Sequence, residues 1–250
     1  MSFVIISFIF GSIIGSFLNV LIYRLPHKMS VAYPSSHCPL CKHRLRLPDL
    51  FPLLSYIVFR GGCRHCGGRI SLRYPAVELL CALGFLLLAY RLGPGWHFMA
   101  MALLYSGLLA CSFIDLDYKI IPDKILLFLS LAGLPLILVQ HHTGAVRYIA
   151  GALLGGLLLL LPALVSRGGM GGGDIKLAGV IGLYLGWQKI LLVLFSASVL
   201  AALSGAAWVL VKKKSFRESM PFGPFLAAGA MAAILWGDTL IKWYMDMYWQ

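Results

Sequence analysis

The sequence predicts an all-α polytopic membrane protein of about eight transmembrane helices, with a zinc-binding cytoplasmic loop after the first helix. Three observations carry that expectation. The chain is 60% hydrophobic and only 12% charged, whereas a soluble domain is about half apolar and about a quarter charged. Its apolar residues fall in segments long enough to cross a bilayer, with short polar stretches between them. Two C-x-x-C pairs stand in the one long polar loop.

The first segment, MSFVIISFIFGSIIGSFLNVLIY, has no basic residue ahead of its apolar run and is long enough to span. It is therefore expected to be a retained helix over 3–23 rather than a cleaved signal. A polar loop, 24–73, follows. Further spans are expected over 74–90, 96–114, 124–139, 146–165, 175–185, 190–211 and 221–236. A turn at 186–189 separates the sixth from the seventh. The aromatic tail (Trp243, Tyr244, Tyr248, Trp249) suits an interface belt. The chain thus divides into a first helix (1–23), a cysteine loop (24–73) and a seven-helix membrane region (74–250).

Eight spans put alternate loops on opposite sides, and the 21 Lys and Arg residues then segregate strongly. The long loop, the 115–124 turn, the 166–176 turn and the 212–217 turn hold all but Arg91, Arg147, Lys189 and Lys242. The positive-inside rule makes the basic side cytoplasmic and places both termini outside. The net charge of +12 is thereby accounted for by topology, so membrane lipids are expected partners and nucleic acid is not. No internal repeat supports an inverted-repeat transporter. Polar groups within spans are few: Asn19 and Glu78 are the main ones.

Cys38-Pro39-Leu40-Cys41 and Cys63-Arg64-His65-Cys66 are separated by 21 residues. Each tight turn offers two thiolates to two corners of a tetrahedron, and together they make a closed four-cysteine site for a structural Zn2+. Disulfides are disfavoured on a reducing cytoplasmic side. Cys81 and Cys111 fall inside spans and read as small apolar residues.

The remaining chemistry lies in two acidic stretches. IDLDYKIIPD, 114–123, holds Asp115, Asp117 and Asp123. GGMGGGDIKL, 168–177, holds Asp174 and Lys176 after five glycines in six positions. Gly171 and Gly173 leave little side-chain bulk around Asp174, so a substrate backbone could approach it. Two carboxylates brought close cannot both ionise easily; they share a proton and supply a general base and a general acid. Asp115 lies deepest, against the apolar span. Asp117 is expected in a solvated loop, Asp123 as a helix cap and Lys176 toward solvent or lipid headgroups.

Together these residues resemble the type IV prepilin peptidase family of membrane aspartic proteases. One family pattern is an Asp, then Ile six residues on, then Pro-Asp: here Asp115, Ile121, Pro122 and Asp123. The other is Gly-x-Gly-Asp: here Gly171, Gly172, Gly173 and Asp174. GSFLNVLIYRLP (15–26), the CPLC…CRHC loop and ISLRYPAVELL (70–80) resemble further family segments, so the likeness covers nearly the whole chain in order. The resemblance implies that Asp115 and Asp174 are catalytic. It implies cleavage of the basic leader of prepilins or pseudopilins after a glycine, at the cytoplasmic face of a bacterial inner membrane. It also implies N-methylation of the new terminus with S-adenosyl-L-methionine, in the 24–73 region.

No G-x-G-x-x-G follows a strand here, so the methyl-donor site is not visible as a familiar motif. Candidates are Asn19, Arg24, Arg73 and Glu78, although Glu78 is expected in an ion pair with Arg24 or Arg73. The competing possibilities are a peptidase without methylation, a non-enzymatic pilus or secretion scaffold, and a transporter. The residues themselves set no oligomeric state.

Overall fold

The computed structural model describes residues 1–38, 40–45, 47–140, 144–165, 171–212 and 220–248. Its elements in chain order are α1 (Ser2–Arg24), a 3-10 turn (Leu47–Leu50), α2 (Leu54–Val58), α3 (Arg73–Leu92), α4 (Trp96–Tyr118), α5 (Asp123–Gln140), α6 (Ala145–Val165), α7 (Gly172–Lys212) and α8 (Gly223–Tyr248). Among the described residues extended pairing is limited to two isolated bridges, His37 with Arg44 and Gly62 with Arg69. Pro39, Arg46, His141, His142, Arg167, Lys213, Lys214, Arg217, Trp249 and residues 168–170 of the glycine stretch lie outside the described residues.

The chain is an all-helical, multi-pass membrane protein. Among the described residues six helices are long and apolar enough to cross a membrane by length and composition: α1, α3, α4, α6, α7 and α8. The expected eight spans differ from these in two places. The 18-residue α5 is counted as a span in that expectation, and the 41-residue α7 is divided in two. α7 is in fact broken at Gly186, whose φ of 79° and ψ of 172° are non-helical. Glycine takes that positive φ without a Cβ clash, which explains why the break falls within the GWQK turn. α8 runs on through Trp243 and Tyr244, so those residues belong to a helix and not to a tail.

The chain forms two compact units, Met1–Pro94 and Gly95–Gln250. In the first, α1 packs on α3 through a G-x-x-x-G face. A Cβ on Gly11 would lie 2.7 Å from Cβ of Phe85, and one on Gly15 would lie 2.7 Å from Cα of Glu78. In lipid, apolar side chains gain little by burial against each other, so close backbone approach is what holds such helices together. A leucine at Gly15 would force the pair apart.

In the second unit α4 is the most enclosed helix, with Ala100, Leu104, Leu108, Cys111 and Ile114 all buried. These positions recur every three or four residues and so form one continuous face. α6 and α7 meet through Gly151 and Gly182, again backbone against backbone. Tyr184 of α7 is buried and donates its hydroxyl to the Leu129 carbonyl of α5 at 2.7 Å. This satisfies a phenol that would otherwise be costly in an apolar setting.

Candidate active site and metal centre

Asp115 lies in the last turn of α4. The helix continues past the expected boundary at residue 114 and closes at Lys119, which adopts a left-handed conformation and donates its N–H to the Asp115 carbonyl at 2.9 Å. The Asp115 side chain is only 5% exposed. Its Oδ2 accepts the backbone N–H of Gly223, at the start of α8, at 2.9 Å. Asp117, two residues on, is exposed, as expected when two positions turn a helix by about 200°.

Asp174 sits in the first turn of α7, where the helix macrodipole favours an acid. Its own N–H donates to the Gly171 carbonyl at 3.1 Å. Its carboxylate lies within electrostatic reach of Asp115. Asp174 Oδ1 is buried and has no hydrogen-bond partner among the described residues. An unmatched buried acceptor costs about 1–3 kcal/mol, and such exceptions need a reason, catalysis among them.

The fold therefore sets Asp115 and Asp174 within electrostatic reach of each other, while Asp117 is exposed and Asp123 pairs with Lys176. The two glycines beside Asp174 differ. A Cβ on Gly171 would lie 3.4 Å from Asp174 Oδ2, whereas one on Gly173 would lie 2.9 Å from Cβ of Ile121. The space beside Gly173 is thus taken by the α4–α5 turn, which seats the start of α7 against the end of α4. Lys176 is exposed but bonded: its Nζ meets Asp123 Oδ1 at 2.8 Å. Asp123 is the first residue of α5, and its carboxylate serves this ion pair rather than the expected cap.

In the first unit the four cysteine sulfurs all lie within 4.8 Å of one another and could hold a metal ion. Cys38 and Cys66 Sγ are 4.0 Å apart, as are Cys41 and Cys63. The two turns are built alike. Cys38 N–H donates to the His43 carbonyl and Lys42 N–H to the Cys38 carbonyl; Cys63 N–H donates to Gly68 and Gly67 N–H to Cys63. Lys42 and Gly67, each four residues past its cysteine, both have positive φ. The Cys38 thiol is lowered to about 7, chiefly by the backbone N–H of Cys41 and against the opposing effect of burial.

Three of the four candidate methyl-donor residues are engaged by nearby backbone. Asn19 Nδ2 donates to the Tyr74 carbonyl at 3.1 Å. The buried Arg24 guanidinium donates to the carbonyls of Ser30, Val31 and Pro34 at 3.0, 3.0 and 2.6 Å. Glu78 is buried, and its Oε2 accepts the N–H of Leu53 at 2.8 Å. The expected ion pair of Glu78 with Arg24 or Arg73 does not form among the described residues. Leu53 has a positive φ of 62° at the N-cap of α2, and its N–H is the donor that the acid accepts. Arg73 begins α3, with its N–H donating to Ser71 Oγ at 3.3 Å.

Sequence reasoning missed Gly223 and Leu53, and named Ile121 only as part of a motif, without its contact to Gly173. The Pro221-Phe222-Gly223-Pro224 turn signalled a helix start, but no local signal said which carboxylate its N–H would meet.

Residues 9–92 match the family described as the Bacterial Peptidase A24 N-terminal domain, and residues 102–206 match the Type IV leader peptidase family. The chain is 38% identical over 246 residues to a prepilin leader peptidase/N-methyltransferase of Bacillus subtilis, covering 97% of this chain and 98% of that protein. It is 37% identical over 270 residues to one from Aeromonas hydrophila, covering 96% and 93%. A third, from Pseudomonas aeruginosa, is 32% identical over 278 residues, covering 98% and 94%. No solved structure matches the chain.

Proposed function

The chain belongs to the type IV leader peptidase family, and from that premise we propose how its residues divide the work. The protein is a prepilin leader peptidase and N-methyltransferase: it cuts the leader from a prepilin and methylates the new N-terminus. Asp115 and Asp174 form the catalytic dyad. The observation that carries this assignment is their pairing: one carboxylate buried and fixed by Gly223 N–H, the other within its electrostatic reach with a buried, unmatched oxygen.

One carboxylate of such a pair, ionised, takes a proton from water as the water adds to the scissile carbonyl. The other, protonated, gives its proton to the departing amine. The Gly223 bond holds one oxygen of Asp115 in place and leaves the other for this exchange. Gly171 keeps the approach to Asp174 free of side chain, while Gly173 lets α7 begin close to Ile121. Every residue of this arrangement belongs to the Gly95–Gln250 unit, and the peptidase chemistry is assigned there, inside the expected 74–250 region.

The four cysteines hold Zn2+. Zn–S bonds of about 2.3 Å in a tetrahedron set sulfurs about 3.8 Å apart, close to the 4.0 Å of both cross-turn pairs. Four thiolates close the coordination sphere, so the ion staples the 24–73 loop. S-adenosyl-L-methionine supplies the methyl group when bound in that region. Arg24 holds the loop through its carbonyls, Asn19 ties the first helix to Tyr74 at the start of α3, and the buried carboxyl of Glu78 suits a cationic donor.

The basic side of the chain faces the cytoplasm of the bacterial inner membrane, with both termini outside. Pseudopilins with the same kind of leader are substrates too. The test is co-expression of a prepilin-type substrate with the wild type and with Asp115→Asn, Asp174→Asn and Asp117→Asn. The product is followed by size and N-terminal mass. Loss of cleavage in the first two and retention in the third supports the dyad. Cleavage by both Asp115→Asn and Asp174→Asn would overturn it.

A further inference from the structure

A second polar site lies at the opposite end of the Gly95–Gln250 unit. His97 opens α4 and Asp115 closes it, so at 1.5 Å per residue they lie about 27 Å apart along the helix. At the His97 end a cavity of about 200 Å³ is lined by His97, Arg147, Tyr148, Tyr184, Lys189 and Asp238, over an apolar floor. That volume equals about seven waters. It is below the range of about 300–1,000 Å³ usual for drug-sized ligands, which suits a small group.

The lining is cationic. Lys189, with a side chain 12% exposed, pairs with Asp238 at 2.9 Å. Asp238 is the one carboxylate of the lining. No carboxylate lies within ion-pair distance of Arg147 among the described residues. The stem of Arg147 runs over the kink of α7: a Cβ on Gly186 would lie 3.0 Å from its Cγ and Nε. The second half of α7 starts at that kink, which adds the positive end of a helix beside the guanidinium. Two permanent cations, an imidazole and one carboxylate leave a surplus of positive charge around a group-sized cavity.

The surroundings select the source of the anion. Trp96, Trp187 and Trp236 are each half-exposed, and they stand beside His97, Lys189 and Asp238 in the chain. Tryptophans at that density mark the membrane–water interface, the depth of lipid phosphates. Val146 and Ile149, which flank Arg147 and Tyr148, are exposed apolar side chains.

We infer that this cavity, lined by Arg147, Lys189, His97 and Tyr148, binds a phosphate group, and that the group belongs to an anionic phospholipid. The guanidinium makes charge-assisted bonds to the phosphate oxygens. Lys189, from within its pair with Asp238, offers a further N–H donor to the phosphate oxygens. The acyl chains lie against the apolar side chains around the rim.

The test uses the full chain in detergent and reads apparent affinity from the rise in melting temperature with ligand concentration. Three probes are compared: phosphatidylglycerol, a diacylglycerol with the same acyl chains, and inorganic phosphate. Phosphatidylglycerol is expected to bind and the diacylglycerol not to bind. Arg147→Gln should weaken phosphatidylglycerol about tenfold, the loss of one charged hydrogen-bonding partner. Asp238→Asn removes the competing negative charge and should tighten binding, an outcome that a misfolded variant cannot produce. Binding of inorganic phosphate alone, lost in Arg147→Gln, would overturn the lipid source while retaining the phosphate site. Unchanged affinity in both variants, or equal binding of the diacylglycerol, would overturn the site itself.

Discussion

The backbone N–H of Gly223 donates to Asp115 Oδ2 at 2.9 Å, joining residues 108 positions apart. A Cβ on Gly223 would also lie 2.9 Å from that oxygen. The glycine is thus both the donor and the space that the carboxylate needs. Gly223→Ala should push the carboxylate out of place and lower the cleavage rate on the order of a hundredfold, the usual cost of about 1 Å of misplacement. Protein level in the membrane should be unchanged. A Gly223→Ala enzyme with the wild-type rate would show that this bond does not position the acid.

Gly173 meets Ile121 in the same way. Gly173→Ala should shift the start of α7, and Asp174 with it, and lower the cleavage rate by about tenfold or more. Ile121→Gly removes the side chain in the way, so the double variant should recover most of the loss. Strong non-additivity of this kind is the signature of residues in contact. Simple addition of the two single effects would place the damage elsewhere.

The metal prediction concerns the 24–73 loop. Purified protein should carry one zinc per chain by elemental analysis, and Cys38→Ser or Cys63→Ser should remove it. A strong chelator should lower the melting temperature of the wild type and leave the serine variants unmoved. Loss of the staple from a small loop should also impair methylation before cleavage, because folding and metal binding are linked there. Full zinc content in both serine variants would exclude the four-cysteine site.

Glu78 separates a structural role from a chemical one. Glu78→Gln keeps an oxygen for the Leu53 N–H, so the loop should fold and the leader should still be cut. Glu78→Ala leaves that N–H unmatched and should cost about 1–3 kcal/mol. If Glu78 faces the cationic methyl donor, the Glu78→Gln product should lack the added methyl mass. A fully methylated product from Glu78→Gln would restrict Glu78 to holding Leu53.

Residue types alone were enough to expect membrane-crossing helices, a cluster of four cysteines and two candidate acids. Long apolar runs have few alternatives in a membrane, since backbone groups must be satisfied within each helix. The C-x-x-C turns are local, so their geometry was readable from spacing. The Ile-Pro-Asp and Gly-x-Gly-Asp stretches singled out Asp115 and Asp174 by position. Sequence position did not foretell the partners of Asp123, whose carboxylate meets Lys176 across two turns, or of Glu78, which meets a backbone N–H instead of an arginine.

Tertiary structure decided the partners. The bonds from Gly223 to Asp115 and from Leu53 to Glu78 join atoms far apart in sequence. So does the seat of Ile121 against Gly173. Which buried donor reaches which acceptor depends on the packing of helices whose apolar faces are chemically alike. In lipid the helices are ordered by where small residues let backbones touch. The sequence by itself therefore determined what the helices are and which side chains can do chemistry. Only the packing determined which groups meet.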